Sequence, residues 1–196
     1  MRAVRIIMDE HRVLTAVLHG MLSVLRHVRY GICDPDFELL GAMLYYIRAF
    51  PERFHHPKED AYLFRLLRQR HPACCALLDK LHTEHQAGTV RLHEMEQALA
   101  LYQKARPEGL AALYSVVADY AAFQYAHVRV EENEVLPAAT EYLTPADWRE
   151  IDDAFTGHTN PLFGAEAGME YDELFRRIVA LAPAPLGAGP EHVARP

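Results

Sequence analysis

The sequence predicts an all-α fold, four long helices with one or two short C-terminal helices, on three observations. Apolar residues recur at helical spacing in four long stretches, proline marks the joints between them, and a His followed four residues later by a Glu occurs at His55/Glu59 and again at His127/Glu131. With 196 residues, 51% of them hydrophobic and 24% charged, the chain can bury one sizeable core.

The first stretch runs from about residue 3 to 30, with Ile7, His11, Leu14, Leu18, Leu22 and Leu25 on one stripe, so His11 faces inward. Asp34-Pro-Asp offers a cap and a proline at the first helical position for the second stretch, about 35 to 70. Pro51 and Pro57 interrupt it, and Pro57 lies between His55 and Glu59, which weakens the shared-face argument for that pair. The third, about 73 to 104, carries Leu78, Leu81, His85, Leu92 and Leu99 on a common face. The fourth, about 108 to 139, lines up Leu113, Val117, Tyr120, Gln124, His127, Glu131 and Val135.

Beyond residue 140 the pattern changes. Thr144-Pro-Ala-Asp is a helix start, with Thr144 as N-cap and Asp147 at the third position, opening a short helix through about Phe155. A loop around Asn160-Pro161, a last amphipathic helix from Tyr171 to Leu181 and a tail rich in Pro, Ala and Gly follow. The expected organisation is a bundle over 1–140, a helical extension over 141–182 packed on it, and a flexible tail over 183–196.

Positions i and i+4 share a helix face, so each His/Glu pair offers an imidazole nitrogen and a carboxylate to one point in space. Two pairs suggest a site for two metal ions. His11 and His85, each preceded by a Glu, extend the candidate ligand set to four helices: His11, His55, Glu59, His85, His127 and Glu131. Burying a carboxylate without compensation costs several kcal/mol, so Glu131 on an inward face calls for a cation or strong donors. Helix bundles build di-metal carboxylate sites from inward side chains in this way, with His terminal and Glu bridging. A mixed nitrogen and oxygen set without Cys favours iron, manganese or zinc. The ferritin-like version requires Glu-x-x-His on two helices, and the chain has only Glu52-Arg-Phe-His55.

A formal charge of −7 argues against nucleic acid or an anionic membrane as partner. No run approaches the roughly 18 apolar residues of a membrane span, and Asp9 and Glu10 cut short the apolar opening before it could act as a signal peptide. Three Cys, two of them adjacent, give no disulfide framework or Cys-x-x-Cys site and read as small buried hydrophobes. The expectation is a cytoplasmic protein.

The order His11, His55-x-x-x-Glu59, His85, His127-x-x-x-Glu131, with Glu10-His11, Phe54-His-His-Pro-Lys-Glu59 and Glu84-His85, resembles the hemerythrin-like (HHE cation-binding) family over about residues 5 to 140. The region from Trp148 to Gly187 resembles the C-terminal extension of a bacterial subgroup. The resemblance implies an up-down four-helix bundle holding a non-haem di-iron centre, with His11, His55, His85 and His127 as terminal ligands and Glu59 and Glu131 as bridges; zinc or manganese fits the same donors. The family's oxygen carriers use a fifth His from a His-x-x-x-His pair in the third helix. Here that helix offers His82 and His85 at spacing three, which leaves His82 as a fifth ligand or an outer donor. His56 could exchange with His55 if Pro57 disturbs the helix, and Glu132 supports Glu131 or faces solvent.

Two functions follow from this reading. One is a binding protein for O₂, nitric oxide or iron, in storage, delivery or sensing; the other is an enzyme that decomposes peroxide or performs another oxidation, with Tyr120 or Tyr125 as proton donor. A third outcome is a bundle whose site is vestigial. The partner expected is a small gaseous or peroxide ligand, and the last amphipathic helix could cover the bundle or form a homodimer interface.

Overall fold

The computed structural model describes residues 1–106, 108–157 and 176. Four helical rods run up and down, and no strand occurs among the described residues. The first rod is α1 (Arg2–Arg29). The second comprises α2 (Phe37–Ala49), α3 (His56–Lys58) and α4 (Arg65–Arg70), joined by π-helical turns at Pro51–His55 and Glu59–Phe64. The third is α5 (Cys75–Lys104), entered through a 3₁₀ turn at Pro72–Cys74. The fourth is α6 (Gly109–Val130), a π-helical turn at Glu131–Val135, and α7 (Leu136–Tyr142). In cross-section α1 and α5 each pack against both α2 and α6.

The cap of the second rod differs from the sequence expectation. Asp36, not Asp34, is the N-cap, its carboxylate accepting from the Leu39 amide at 2.9 Å, so Pro35 precedes the helix instead of opening it. The preceding turn reverses the chain at Gly31, whose φ of 67° suits a residue without a Cβ.

The second rod passes Pro51 and Pro57 without breaking. A proline in a helix removes one N–H and crowds the carbonyl four residues earlier. The chain answers with wider turns, and the amide of His55 reaches the carbonyl of Phe50, five residues back, at 3.2 Å. The third π-helical turn, Glu131–Val135, sits just ahead of Pro137.

The bundle interior is layered. One apolar cluster gathers Leu14, Leu18, Met21, Leu40, Ile47, Met95, Val117 and Tyr120. A second gathers Ile7, Leu63, Leu67, Leu78, Leu81, Val135 and Ile151. Between the two clusters every rod places buried polar residues: Glu10 and His11; His55, His56 and Glu59; His85; and Gln124, His127 and Glu131. Each apolar layer excludes water from the polar one between them, and the rods fix its side chains from four directions.

Helix α8 (Pro145–Thr156) opens as the sequence predicts, with Thr144 and Asp147 forming a reciprocal capping box. It lies along α1 and buries Trp148, Ile151 and Phe155 in the second cluster. Asp152 accepts from the Ala3 amide at 2.6 Å, and Arg70 makes two hydrogen bonds to Asp147. The predicted loop near 160, the helix over 171–181 and the tail fall outside the described residues, apart from Arg176. The cysteine expectation holds for Cys74, which is buried, while Cys75 is half-buried and Cys33 is exposed in the loop between α1 and α2, which has no interior to hide it in.

Candidate metal centre

All six residues singled out by spacing converge in the polar layer, each at most 6% exposed. The four histidines meet in two pairs. Nε2 of His11 lies 3.1 Å from Nε2 of His55, and Nε2 of His85 lies 3.0 Å from Nε2 of His127. Both carboxylates stand between the pairs. Glu59 has Oε1 3.8 Å from His11 and Oε2 3.4 Å from His55 and 3.6 Å from His85. Glu131 has Oε2 3.3 Å from His11 and Oε1 3.2 Å from His127 and 3.6 Å from His85. Each carboxylate therefore faces a histidine of both pairs, and the Pro57 turn does not separate His55 from Glu59.

The outer nitrogens are braced by a second ring of carboxylates. Nδ1 of His55 donates to Glu10 at 2.7 Å and Nδ1 of His127 to Glu84 at 2.9 Å. His85 faces Asp60 at 3.1 Å, and His11 faces Glu132 at 3.1 Å. A carboxylate on Nδ1 keeps the proton there and turns the Nε2 lone pair inward, as in the carboxylate–histidine pairs of metal sites. Glu132 thus supports His11. The sequence carried a signal for this ring, since each brace adjoins one of the six residues: Glu10-His11, Glu59-Asp60, Glu84-His85 and Glu131-Glu132.

Electrostatics follow from burial opposed by these contacts. Burial alone would discharge His11, but Glu131, Glu132 and Glu59 outweigh it and hold the imidazole well above its ordinary range. His85 behaves likewise, burial being overcome by Asp60 and Glu131 to raise it to about 10. His127 is also raised, burial yielding to Glu131 and Glu84. Glu131 would be pushed up by burial, yet His127, His11 and His85 hold it well below the carboxylate range. The layer thus keeps a carboxylate ionised only by surrounding it with positive charge.

Two features fit this donor set to divalent cations. All four oxygens of Glu59 and Glu131 are buried with no hydrogen-bond partner among the described residues. Native proteins seldom leave such acceptors orphaned. The paired Nε2 atoms also stand at the separation of ligands on one ion, since two nitrogens bound at about 2.1 Å and at right angles are about 3 Å apart.

Other predicted residues take different places. His82 is half-exposed and outside the cluster, with Nδ1 3.0 Å from Asp60. Tyr125 meets His19 at 3.2 Å, away from the Glu59–Glu131 pair, whereas Tyr120 is buried and donates to Glu52 Oε1 at 3.2 Å. His56, read from the sequence only as a substitute for His55, is 4% exposed and stacks on His85 with ring centroids 4.3 Å apart. Among the described residues, buried ligand-type atoms form two groups, each within 4.8 Å: His11, His55, Glu59 and Glu131 in one, and His56, His85 and His127 in the other. Burial and its histidine neighbours push His56 well below the ordinary range, which favours its neutral form.

No helix among the described residues is long and apolar enough to cross a membrane. Comparison with curated proteins and with solved structures returns no match. The family model for the hemerythrin HHE cation binding domain matches residues 2–139, the span that supplies all four rods and the whole polar layer. The chain belongs to the hemerythrin HHE cation-binding family.

Proposed function

We propose that the polar layer holds two metal ions, iron in the first place, with His11, His55, His85 and His127 as terminal ligands and Glu59 and Glu131 as bridges. The observation that carries this reading is the placement of four orphaned carboxylate oxygens between two pairs of facing imidazole nitrogens. Zinc or manganese suits the same donors, since such a set does not select strongly among these metals. Two adjacent cations would supply redox capacity and Lewis acidity toward a small ligand such as O₂, nitric oxide or peroxide. The chain's own contribution is to orient the imidazoles through the outer carboxylates and to exclude water with the apolar layers above and below.

In this reading the protein is a binding protein for a gas or for iron, in storage, delivery or sensing. One observation favours the alternative, a peroxide-decomposing or oxidising enzyme. Glu52 and Tyr120 form a buried carboxyl–phenol contact beside His56, and burial raises Glu52 above the usual carboxylate range despite the Thr89 and Tyr120 hydroxyls. Such a pair can supply the proton that peroxide cleavage needs. A cytoplasmic location and a bundle domain over residues 1–140 complete the proposal.

Metal analysis of the protein as purified, visible absorption under O₂ and nitric oxide, and oxygen evolution from peroxide test it together. Two irons per chain with a ligand-dependent spectrum and no peroxide turnover support the binding protein. Turnover that falls in Tyr120→Phe while metal stays bound supports the enzyme. A protein that takes up no metal overturns both.

A further inference from the structure

We propose that His56 is a fifth histidine ligand, completing with His85 and His127 the second of the two metal positions, and that Glu52 is its positioning residue. This rests on the two-metal reading above. The fifth histidine then comes from the second rod, not from His82 in the third.

The argument begins with the turn at Pro51–His55. In a regular helix, neighbours such as His55 and His56 diverge by about 100° and cannot both face one axis. A π-helical turn fits more residues into each revolution and narrows that angle. Both rings accordingly lie in the polar layer, 2% and 4% exposed, on adjacent faces of the same site. His55 falls with His11, Glu59 and Glu131, and His56 with His85 and His127.

His56 also has an unmet need. Its Nδ1 is buried with no hydrogen-bond partner among the described residues. The other four histidines each have a carboxylate oxygen 2.7 to 3.1 Å from Nδ1, although at His85 the Asp60 contact is not aligned as a hydrogen bond. Glu52 occupies the equivalent place for His56, with Oε1 3.7 Å from Nδ1, and closing that gap by roughly 0.8 Å would make a hydrogen bond. Its carboxyl is held on three sides. Thr89 donates to Oε2 at 2.8 Å, Tyr120 donates to Oε1 at 3.2 Å, and Gly88 leaves room where an added Cβ would stand only 2.9 Å from Oε1. A carboxyl gripped from α5 and α6 so as to face the imidazole whose nearest carboxylate is the most distant of the five is placed to orient it.

The two positions are then unequal, one with three imidazoles and one with two. Cobalt(II) titrated into chelator-stripped, full-length protein tests this, because its visible bands report coordination number and donor set. Wild type should take up two cobalt ions, and His56→Asn should bind one of them at least 10-fold more weakly, with altered bands, while the other stays within threefold. Glu52→Gln and Gly88→Ala should weaken the same ion by a smaller factor at unchanged helix content, with Glu52→Asp restoring part of the loss. Two ions bound in His56→Asn with wild-type affinity and spectrum overturn the fifth ligand. Should His56→Asn fail to fold, Gly88→Ala decides, and wild-type affinity there overturns the role of Glu52. Wild type that never holds two ions overturns the two-metal reading itself.

Discussion

Glu10 Oε2 lies 2.7 Å from Nδ1 of His55, so the residue preceding His11 on α1 orients a histidine of the second rod. The same exchange recurs around the layer, with Glu84 beside His85 bracing His127, Asp60 beside Glu59 bracing His85, and Glu132 beside Glu131 bracing His11. Every neighbour in sequence serves a residue on another rod, which couples helix packing to imidazole orientation. Glu10→Ala and Glu84→Ala are therefore expected to weaken metal binding about 10- to 100-fold in chelator competition while leaving helix content intact. Affinity unchanged in both would show that packing alone orients the rings.

His85→Ala and His127→Ala should each lower bound metal with little loss of helix, whereas His82→Ala should retain it. His82 is half-exposed, and its contact is with Asp60 rather than with the carboxylate pair. Circular dichroism and metal content measured on the same samples check this. Equal loss in His82→Ala and His85→Ala would mean that the exposed imidazole swings inward when metal binds.

The placement of His11, His85 and His127 was legible because a 3.6-residue stripe puts each among leucines, and Thr144-Pro-Ala-Asp announced α8 through its cap chemistry. His56 was not legible as an inward residue, because a regular helix forces a choice between His55 and His56. The signal lay in Pro51 and Pro57, which bracket the pair and enforce the wider turn. The outer carboxylates were visible as residues adjoining the six, yet their targets are on other rods, and spacing along one helix says nothing about partners across a bundle. The cap of α2 was ambiguous for a local reason, since Asp34 and Asp36 flank Pro35 and either can accept from a first-turn amide.

Removing the Phe155 side chain is expected to destabilise the fold by about 3–5 kcal/mol, the range for aromatic truncation in a packed core. Phe155 is fully buried, with its ring 6.4 Å from His55 in an edge contact and Lys58 Nζ 5.3 Å from its centroid. Phe155→Ala should therefore lower the urea midpoint and also admit solvent toward His55. An unfolding free energy within about 0.5 kcal/mol of wild type, at the usual slope, would mean that α8 is not part of the cooperative unit.

Acidity should act in opposite directions on stripped and metal-loaded protein. In the stripped protein His11, His127 and His85 are raised, the last to about 10, so their contribution is full below the unfolded value of about 6.5 and is lost as pH rises through the folded values. Glu131 is depressed, and its contribution is present above the unfolded carboxylate value and lost as pH falls through the folded one. Stripped protein should thus resist urea better at pH 5.5 than at pH 8.5. Metal requires neutral imidazoles, so loading releases protons and apparent affinity climbs with pH toward about 10. Loaded protein should gain stability between pH 5.5 and 8.5, and parallel slopes for the two forms would show that these histidines do not bind the metal.

The carboxylates make the site a two-metal one. A Glu between two cations offsets their mutual repulsion, while the cations compensate its buried charge. Glu131→Gln keeps size and removes that charge, so occupancy should fall from about two metals per chain toward one or none. Glu59→Gln should behave the same way, since Glu59 also faces histidines of both pairs and is fully buried. Glu132→Gln should be much milder, because Glu132 is one-third exposed and touches only the outer nitrogen of His11. Metal counting by emission spectroscopy separates the cases. Two metals kept in Glu131→Gln but lost in Glu132→Gln would mean that the bridging member is the wrong one of the adjacent pair, and the His127–Glu131 face would have to turn by one residue when metal binds.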